Sequence, residues 1–178
     1  MNLDYKVDGY YFDNGKKGFY SGKIDLISDN RIIGLIEDQD YKHEGKRFII
    51  GFYYNNPIQS IIFIKTPKIE ETTKRIFLYS LTNNKFDTEN FDGIYEGFWI
   101  GIEPDLDGEM SKLLKINQMS YELKKILKQK PTLESLDKLK NIDSYLLKIN
   151  YFKEITLNIL DSIPSVFKER SKLLISKV

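Results

Sequence analysis

The single histidine is the residue best suited to acid–base chemistry in this chain. His43 follows an acidic stretch that contains Glu37, Asp38 and Asp40, and Glu44 comes directly after it. Because histidine titrates near neutral pH, it could act as a general base with Glu37 or Asp38, or the group could bind a divalent cation. However, this segment lies between two predicted strands, where charged hairpin loops are common. We favour the loop interpretation and expect neither catalytic residues nor enzymatic activity.

A second acidic segment, residues 105–109, resembles the start of a calcium-binding loop. An EF-hand loop needs glycine at its sixth position and glutamate at its twelfth. Counted from Asp105, glycine follows the second aspartate directly and the twelfth position is Ile116, so the pattern fails. The segment fits a helix N-terminus better, where acidic side chains meet the positive end of the dipole. With no cysteine, no phosphate-binding glycine loop and no Gly-x-Ser-x-Gly elbow, we expect no metal and no cofactor.

Clustered aromatic residues in the first hundred positions offer a different chemistry. They could line a ligand cavity or simply form the core. Stacking on nucleic-acid bases normally needs a basic groove, whereas residues 1–108 hold 13 Lys/Arg against 18 Asp/Glu. The candidate ligand-cavity residues are Tyr20, Tyr53, Tyr95 and Trp99.

Residues 1–108 are predicted to form an antiparallel β unit that would position these aromatics. Apolar or alternating runs are separated by turn signals, and the pair Asn14-Gly15 favours a tight hairpin turn. The runs follow one another too closely for parallel crossovers, so consecutive strands must be antiparallel. The predicted strands cover residues 10–12, 18–27, 31–37, 46–54, 60–65, 75–81 and 93–102.

Glycines inside these runs predict strong curvature of the sheet, because interior strand glycines often mark bulges or sharp bends. Two segments, 18–22 and 93–97, both place a tyrosine between glycines four residues apart. These glycine-aromatic strands resemble those of small up-and-down barrels of the lipocalin and avidin kind. The resemblance implies a barrel fold and carries no functional residues with it.

Residues 109–178 are predicted to form an α-helical unit, since they lack glycine and hold only two prolines, Pro131 and Pro164. Helical spacing predicts a helix before Pro131, a long helix over about 132–161, and a short helix after Pro164 with Leu173 and Leu174 on one face. The expected fold is therefore α+β: an N-terminal strongly curved antiparallel sheet or small barrel, followed by a C-terminal helical hairpin or short bundle. The candidate interaction stripe of the long helix is Leu136, Leu139, Ile142, Leu146 and Ile149.

Charge and targeting signals restrict the partners. Residues 109–178 hold 14 Lys/Arg against 8 Asp/Glu, but Arg170 is their only arginine. Lysine lacks the bidentate fork that suits phosphates and base edges, so a nucleic-acid partner is not expected. The N-terminus shows no signal-peptide pattern and no apolar run could span a bilayer. The lack of cysteine fits the cytoplasm, so we expect a soluble cytoplasmic protein with no membrane partner.

Two functions fit this sequence. The first is a non-catalytic protein-interaction or assembly module, in which the β unit is a platform and the helical arm binds a protein partner or a second copy of the chain. It depends on the long apolar stripe and on the lack of a catalytic constellation. The alternative is a carrier or sensor of a small apolar ligand, held inside the aromatic-lined curved sheet.

Overall fold

The computed structural model shows a closed antiparallel barrel of eight strands, in which consecutive strands pair and β8 pairs with β1. A 3₁₀ turn at Ser28–Asn30 links β2 to β3, and the helix α1 spans Leu133–Lys140 between β7 and β8. The strands are β1 Tyr5–Asp13, β2 Lys16–Ile27, β3 Arg31–Asp38, β4 Gly45–Asn55, β5 Gln59–Lys65, β6 Ile76–Asn83, β7 Gly93–Ile102 and β8 Glu169–Lys177.

The structure describes most of the barrel and part of the segment between β7 and β8. Among the described residues, no helix is long and apolar enough to cross a membrane. The described residues are 2–39, 45–55, 58–66, 76–83, 90–102, 130–140, 154, 156–157, 160–161, 165 and 168–178.

Turn chemistry and alternation explain the first hairpins. Asn14 and Gly15 both have positive φ, at 50° and 78°, and so make the two-residue turn that joins β1 to β2. Along β1, Val7, Gly9 and Tyr11 are buried while their neighbours are partly or fully exposed. This two-residue period assigns one side of each strand to the barrel interior and the other to the outer wall.

The strand β8 corrects the predicted last helix. Residues 169–177 pair with β1 from Tyr5 to Tyr11 on one side, and with β7 from Gly93 to Trp99 on the other. Closing the barrel in this way removes both open edges of the sheet. The predicted α+β class, with its C-terminal helical hairpin or bundle, is therefore wrong.

The barrel wall separates two apolar cores. The inner core includes Val7, Ile24, Phe63, Tyr79 and Trp99 and fills the interior. The outer core lies on the opposite side of β3 to β7 and contains, among others, Ile33, Phe48, Ile50, Ile62 and Ile64. Three leucines from the segment between β7 and β8 complete this outer core: Leu136, Leu139 and Leu160.

The proposed division of the chain at residue 108 stays a prediction, although the arrangement of the elements differs from the expected one. Residues 136, 139 and 160 pack on the outside of the barrel, while residues 169–177 are part of the barrel itself. The segment between β7 and β8 thus connects two adjacent antiparallel strands, and its described leucines cover one sector of the outer wall.

Candidate binding surface

The barrel interior holds a buried group of charges that we call the ion cluster, formed by Asp38, Arg47 and Lys65. All three side chains are at most 2% exposed. Lys65 Nζ donates to Asp38 Oδ1 at 2.9 Å, Arg47 Nε forms an ion pair with Asp38 Oδ2, and Arg47 Nη1 donates to the Thr66 carbonyl at 3.0 Å. One carboxylate thus joins two cations from two other strands. Such a cluster tolerates burial only because its members are paired.

Aromatic rings surround the ammonium group of Lys65. Its Nζ lies 4.5 Å from the ring centroid of Tyr11 and 5.2 Å from that of Tyr20, with Phe77 and Tyr79 at 5.2 and 5.5 Å. Ring faces carry negative potential, so they stabilise a cation that has left water. The ion cluster is therefore enclosed by aromatic side chains, which pack around it in the barrel interior.

Glycines make room for two of these rings. Gly9 pairs across the strands with Tyr20, and Gly18 pairs with Tyr11. A Cβ atom at Gly9 would overlap the Tyr20 ring, and one at Gly18 would overlap the Tyr11 ring. Each tyrosine therefore lies over a cross-strand glycine, which accounts for the glycine-aromatic pattern of these strands.

Two of the predicted cavity residues, Tyr20 and Trp99, lie in a continuous set of packed rings. Tyr79 connects them, with ring centroids 5.9 Å from Tyr20 and 6.2 Å from Trp99. Because Tyr20 is on β2 and Tyr79 on β6, this contact spans the barrel. Trp99 also donates its indole N–H to the Phe12 carbonyl at 2.8 Å. At this level, side chains occupy the space that a ligand would need.

The other two predicted cavity residues, Tyr53 and Tyr95, lie toward the opposite end of the barrel. Phe91 packs between them, with ring centroids 5.3 Å from Tyr53 and 6.4 Å from Tyr95, and is itself buried. The Tyr95 hydroxyl donates to the Phe91 carbonyl at 2.7 Å, and Gln59 donates to the Tyr53 hydroxyl at 3.0 Å. The four predicted residues thus form two sets of ring contacts within one packed inner core.

Burial controls the protonation of the interior phenols. Burial raises the pKa values of Tyr20, Tyr79 and Tyr95, because a phenolate would lose its hydration there. Ser171 lowers the pKa of Tyr20 and thus partly opposes the effect of burial. The Ser171 hydroxyl donates its own proton to the Tyr10 carbonyl at 2.8 Å. These tyrosines therefore stay neutral at physiological pH.

The predicted interaction stripe is described at two of its five positions. Leu136 and Leu139 are fully buried against the outer wall of the barrel. Ile142, Leu146 and Ile149 lie outside the described residues, as do His43 and the acidic segment 105–109. In the part of the helix that the structure describes, the leucines contact their own barrel rather than an open surface.

A groove of about 820 Å³ lies on the outer wall beside the start of α1. The residues that line it include Lys23, Lys46, Glu37, Glu134 and Leu133. Thr132 caps the helix by accepting a hydrogen bond from the Ser135 N–H at 3.1 Å. Charges of both signs therefore line this groove.

The outer wall of β8, β1 and β2 carries a different surface, which we call the aromatic–cation patch. Lys17 Nζ lies 4.0 Å from the Tyr10 ring centroid and 5.4 Å from that of Phe19, while the Arg170 guanidinium lies 5.1 Å from that of Phe12. Phe19 is 48% exposed, which makes it one of the most exposed large apolar side chains among the described residues. The patch consists of Tyr10, Phe12, Lys17, Phe19 and Arg170.

The strand register places these side chains side by side on the outer wall. Tyr10 pairs with Phe19, and Phe12 pairs with Lys17. Lys172, opposite Tyr10 on β8, forms an ion pair with Glu96 at 3.0 Å, and this contact raises the pKa of Lys172. In the sequence, Tyr10, Phe12 and Phe19 belong to the clustered aromatics that were predicted to fill a core or line a cavity. Their alternation with Gly9, Tyr11 and Tyr20 was the signal that they face outward.

No family model, no curated protein and no solved structure matches this chain.

Proposed function

We propose that this protein is a non-catalytic protein-interaction module that binds its partner through the aromatic–cation patch. The observation that carries the proposal is the contrast between the two sectors of the outer wall. One sector is covered by Leu136, Leu139 and Leu160, whereas the other exposes Phe19 and holds Lys17 over two ring faces. Aromatic and arginine side chains are enriched at the centres of protein interfaces, which supports this assignment.

The barrel would serve as the platform in this proposal. Eight closed strands leave no sheet edge for a partner to extend, so a partner must bind to side chains of the wall. The patch residues come from three neighbouring strands, whose register fixes their spacing. A cytoplasmic location, in line with the absence of cysteine, belongs to the same proposal.

The alternative proposal, an apolar-ligand carrier that uses the barrel interior, has less support. Its four residues form two sets of ring contacts, and rings or hydrogen-bonded side chains occupy the space beside each of them. A ligand would have to displace buried rings in order to enter. The enzymatic interpretation of His43 concerns a residue outside the described part of the chain.

Selection from a random peptide library on the immobilised chain tests the proposal. Peptides selected on the native chain should lose binding to the variant Phe19→Ser, because this change removes the exposed ring of the patch. The matched control is Leu133→Ser, since Leu133 is 51% exposed but lies on α1. Peptides that keep binding to Phe19→Ser, or a selection that yields no binder, would contradict the proposal.

A further inference from the structure

We infer that the partner segment bound by the aromatic–cation patch is an acidic peptide with at least one apolar side chain. This inference rests on the proposed function, because it names the chemistry of the partner at the same surface. Three observations support it: the arrangement of Lys17 and Arg170, the absence of a carboxylate partner for either cation among the described residues, and the exposure of Phe19.

The outward positions of the patch are positively charged. Positions 10, 12, 17, 19 and 170 carry two cations, Lys17 and Arg170, and no acidic residue, and Lys172 lies beside them opposite Tyr10. Glu96 on β7 pairs with Lys172, whereas Lys17 and Arg170 make no ion pair with any of the described residues. Two cations therefore remain for carboxylates of a partner.

The rings hold these cations in place without neutralising them. An exposed lysine or arginine normally samples many rotamers, and ordering it costs entropy when a partner binds. Contact with the faces of Tyr10, Phe12 and Phe19 favours conformations in which Lys17 and Arg170 remain on the patch. A carboxylate can then approach a charge that is already positioned, while an apolar side chain packs on the exposed part of Phe19.

The same contacts favour a peptide over single-stranded nucleic acid. Binding of single strands relies on bases that stack on free aromatic faces. Here Lys17 lies over Tyr10 and Phe19, and Arg170 lies over Phe12, so these cations already occupy faces of the rings. A base would have to displace the cation, whereas a carboxylate can bind the cation where it lies.

The test compares three labelled probes by fluorescence anisotropy, at about 50 and 500 mM salt. The probes are a twelve-residue peptide of alternating Glu and Leu, the same peptide with Gln in place of Glu, and an oligothymidylate of twelve nucleotides. We expect the Glu peptide to bind the native chain most tightly, and its affinity to fall at high salt because the contacts are screened.

The charge variant is the double substitution Lys17→Gln and Arg170→Gln. It should weaken binding of the Glu peptide about tenfold, which corresponds to two exposed charge contacts of modest strength. The matched control, Lys6→Gln with Lys23→Gln, removes two cations from the same sector outside the patch, where Lys6 already pairs with Asp8 at 3.0 Å. This control should retain at least half of the native affinity.

Each contrary result overturns the inference in a recognisable way. Equal binding of the Gln and Glu peptides would show that charge does not select the partner. Equal weakening by both double variants would indicate an effect of overall charge only. Tighter binding of the oligothymidylate, lost with Lys17→Gln and Arg170→Gln, would assign the patch to nucleic acid. Library peptides that depend on Phe19 but contain no acidic residues would overturn this inference and leave the proposed function standing.

Discussion

At the scale of single residues, the ion cluster depends on one carboxylate. Asp38 is the only acidic residue among its three members and contacts both cations, while all three side chains are almost completely buried. The pairing is visible only in the folded barrel, because the three residues come from β3, β4 and β5 and share no local motif. In the sheet, Arg47 lies opposite Ile36, and Lys65 lies opposite Ile49. No two residues of the ion cluster are therefore direct cross-strand partners.

The substitution Asp38→Asn should therefore destabilise the barrel strongly. It removes the charge that compensates Arg47 and Lys65 in the interior, and breaking a buried ion pair in this way costs about 3–5 kcal/mol. Urea unfolding followed by tryptophan fluorescence measures the loss. The control is Glu37→Gln on the same strand, which faces solvent and should change the free energy of unfolding by less than about 0.5 kcal/mol. A similar small effect for both variants would mean that the cluster does not contribute to stability.

At the scale of elements, α1 belongs to the outer core of the barrel. Leu136 and Leu139 are fully buried, while Leu133 of the same helix is 51% exposed. Glu134 and Lys138 form an ion pair at 3.2 Å on the exposed side. The helix is therefore amphipathic, and its apolar side faces the barrel. Its eight residues would be marginal alone, so tertiary packing must supply most of its stability.

The substitution Leu136→Ala should consequently lower the free energy of unfolding by about 2–5 kcal/mol, as truncation of a buried leucine leaves a cavity. Leu133→Ala, on the exposed side, should change it by less than about 0.5 kcal/mol. Chemical denaturation of both variants measures the difference. Equal and small effects would instead indicate that the helix is held loosely and is free to bind another molecule, as the sequence predicted for this stripe.

The sequence predicted some elements and missed others for physical reasons. The predicted strands overlap β1 to β7, because short turns and two-residue alternation are local signals that the barrel preserves. The first prediction was too short, since it covered only residues 10–12 of β1. In residues 169–177, the adjacent Leu173, Leu174 and Ile175 hide the alternation, and the preceding residues suggest a helix. Which strands these residues join depends on β1 and β7, more than 60 residues away, and no local pattern records such a long-range pairing.

The candidate site was missed for a related reason. Tyr10, Tyr11 and Phe12 are consecutive, so composition alone cannot separate the ring that packs inside from the two that face outward. Once Tyr11 is placed opposite Gly18, the alternation assigns Tyr10 and Phe12 to the outer wall. Arg170 lies beside them only because β8 closes the barrel. The sequence instead predicted a short helix for the segment that contains Arg170.

At the scale of the whole molecule, barrel closure by β8 makes the two ends of the sequence interdependent. The strand pairs with both β1 and β7, and the Val178 N–H also donates to the Asp4 carbonyl at 2.8 Å. Without β8, two sheet edges would open and the interior side chains beside them would meet water. A chain that ends at residue 168 should therefore lose its compact fold and aggregate through the open edges.

A synthetic peptide of residues 168–178 should restore the fold when it is added to the truncated chain, because it can pair with both open edges. Leu173 and Ile175 face the interior, whereas Leu174 faces outward and is 44% exposed. A peptide with Leu174→Lys should therefore complement the truncated chain nearly as well as the native peptide. A peptide with Leu173→Lys and Ile175→Lys should fail, since it would place two charges in the inner core. Tryptophan fluorescence and size-exclusion chromatography measure the recovery. A truncated chain that folds as a monomer alone, or equal rescue by the two altered peptides, would contradict closure by β8 in this register.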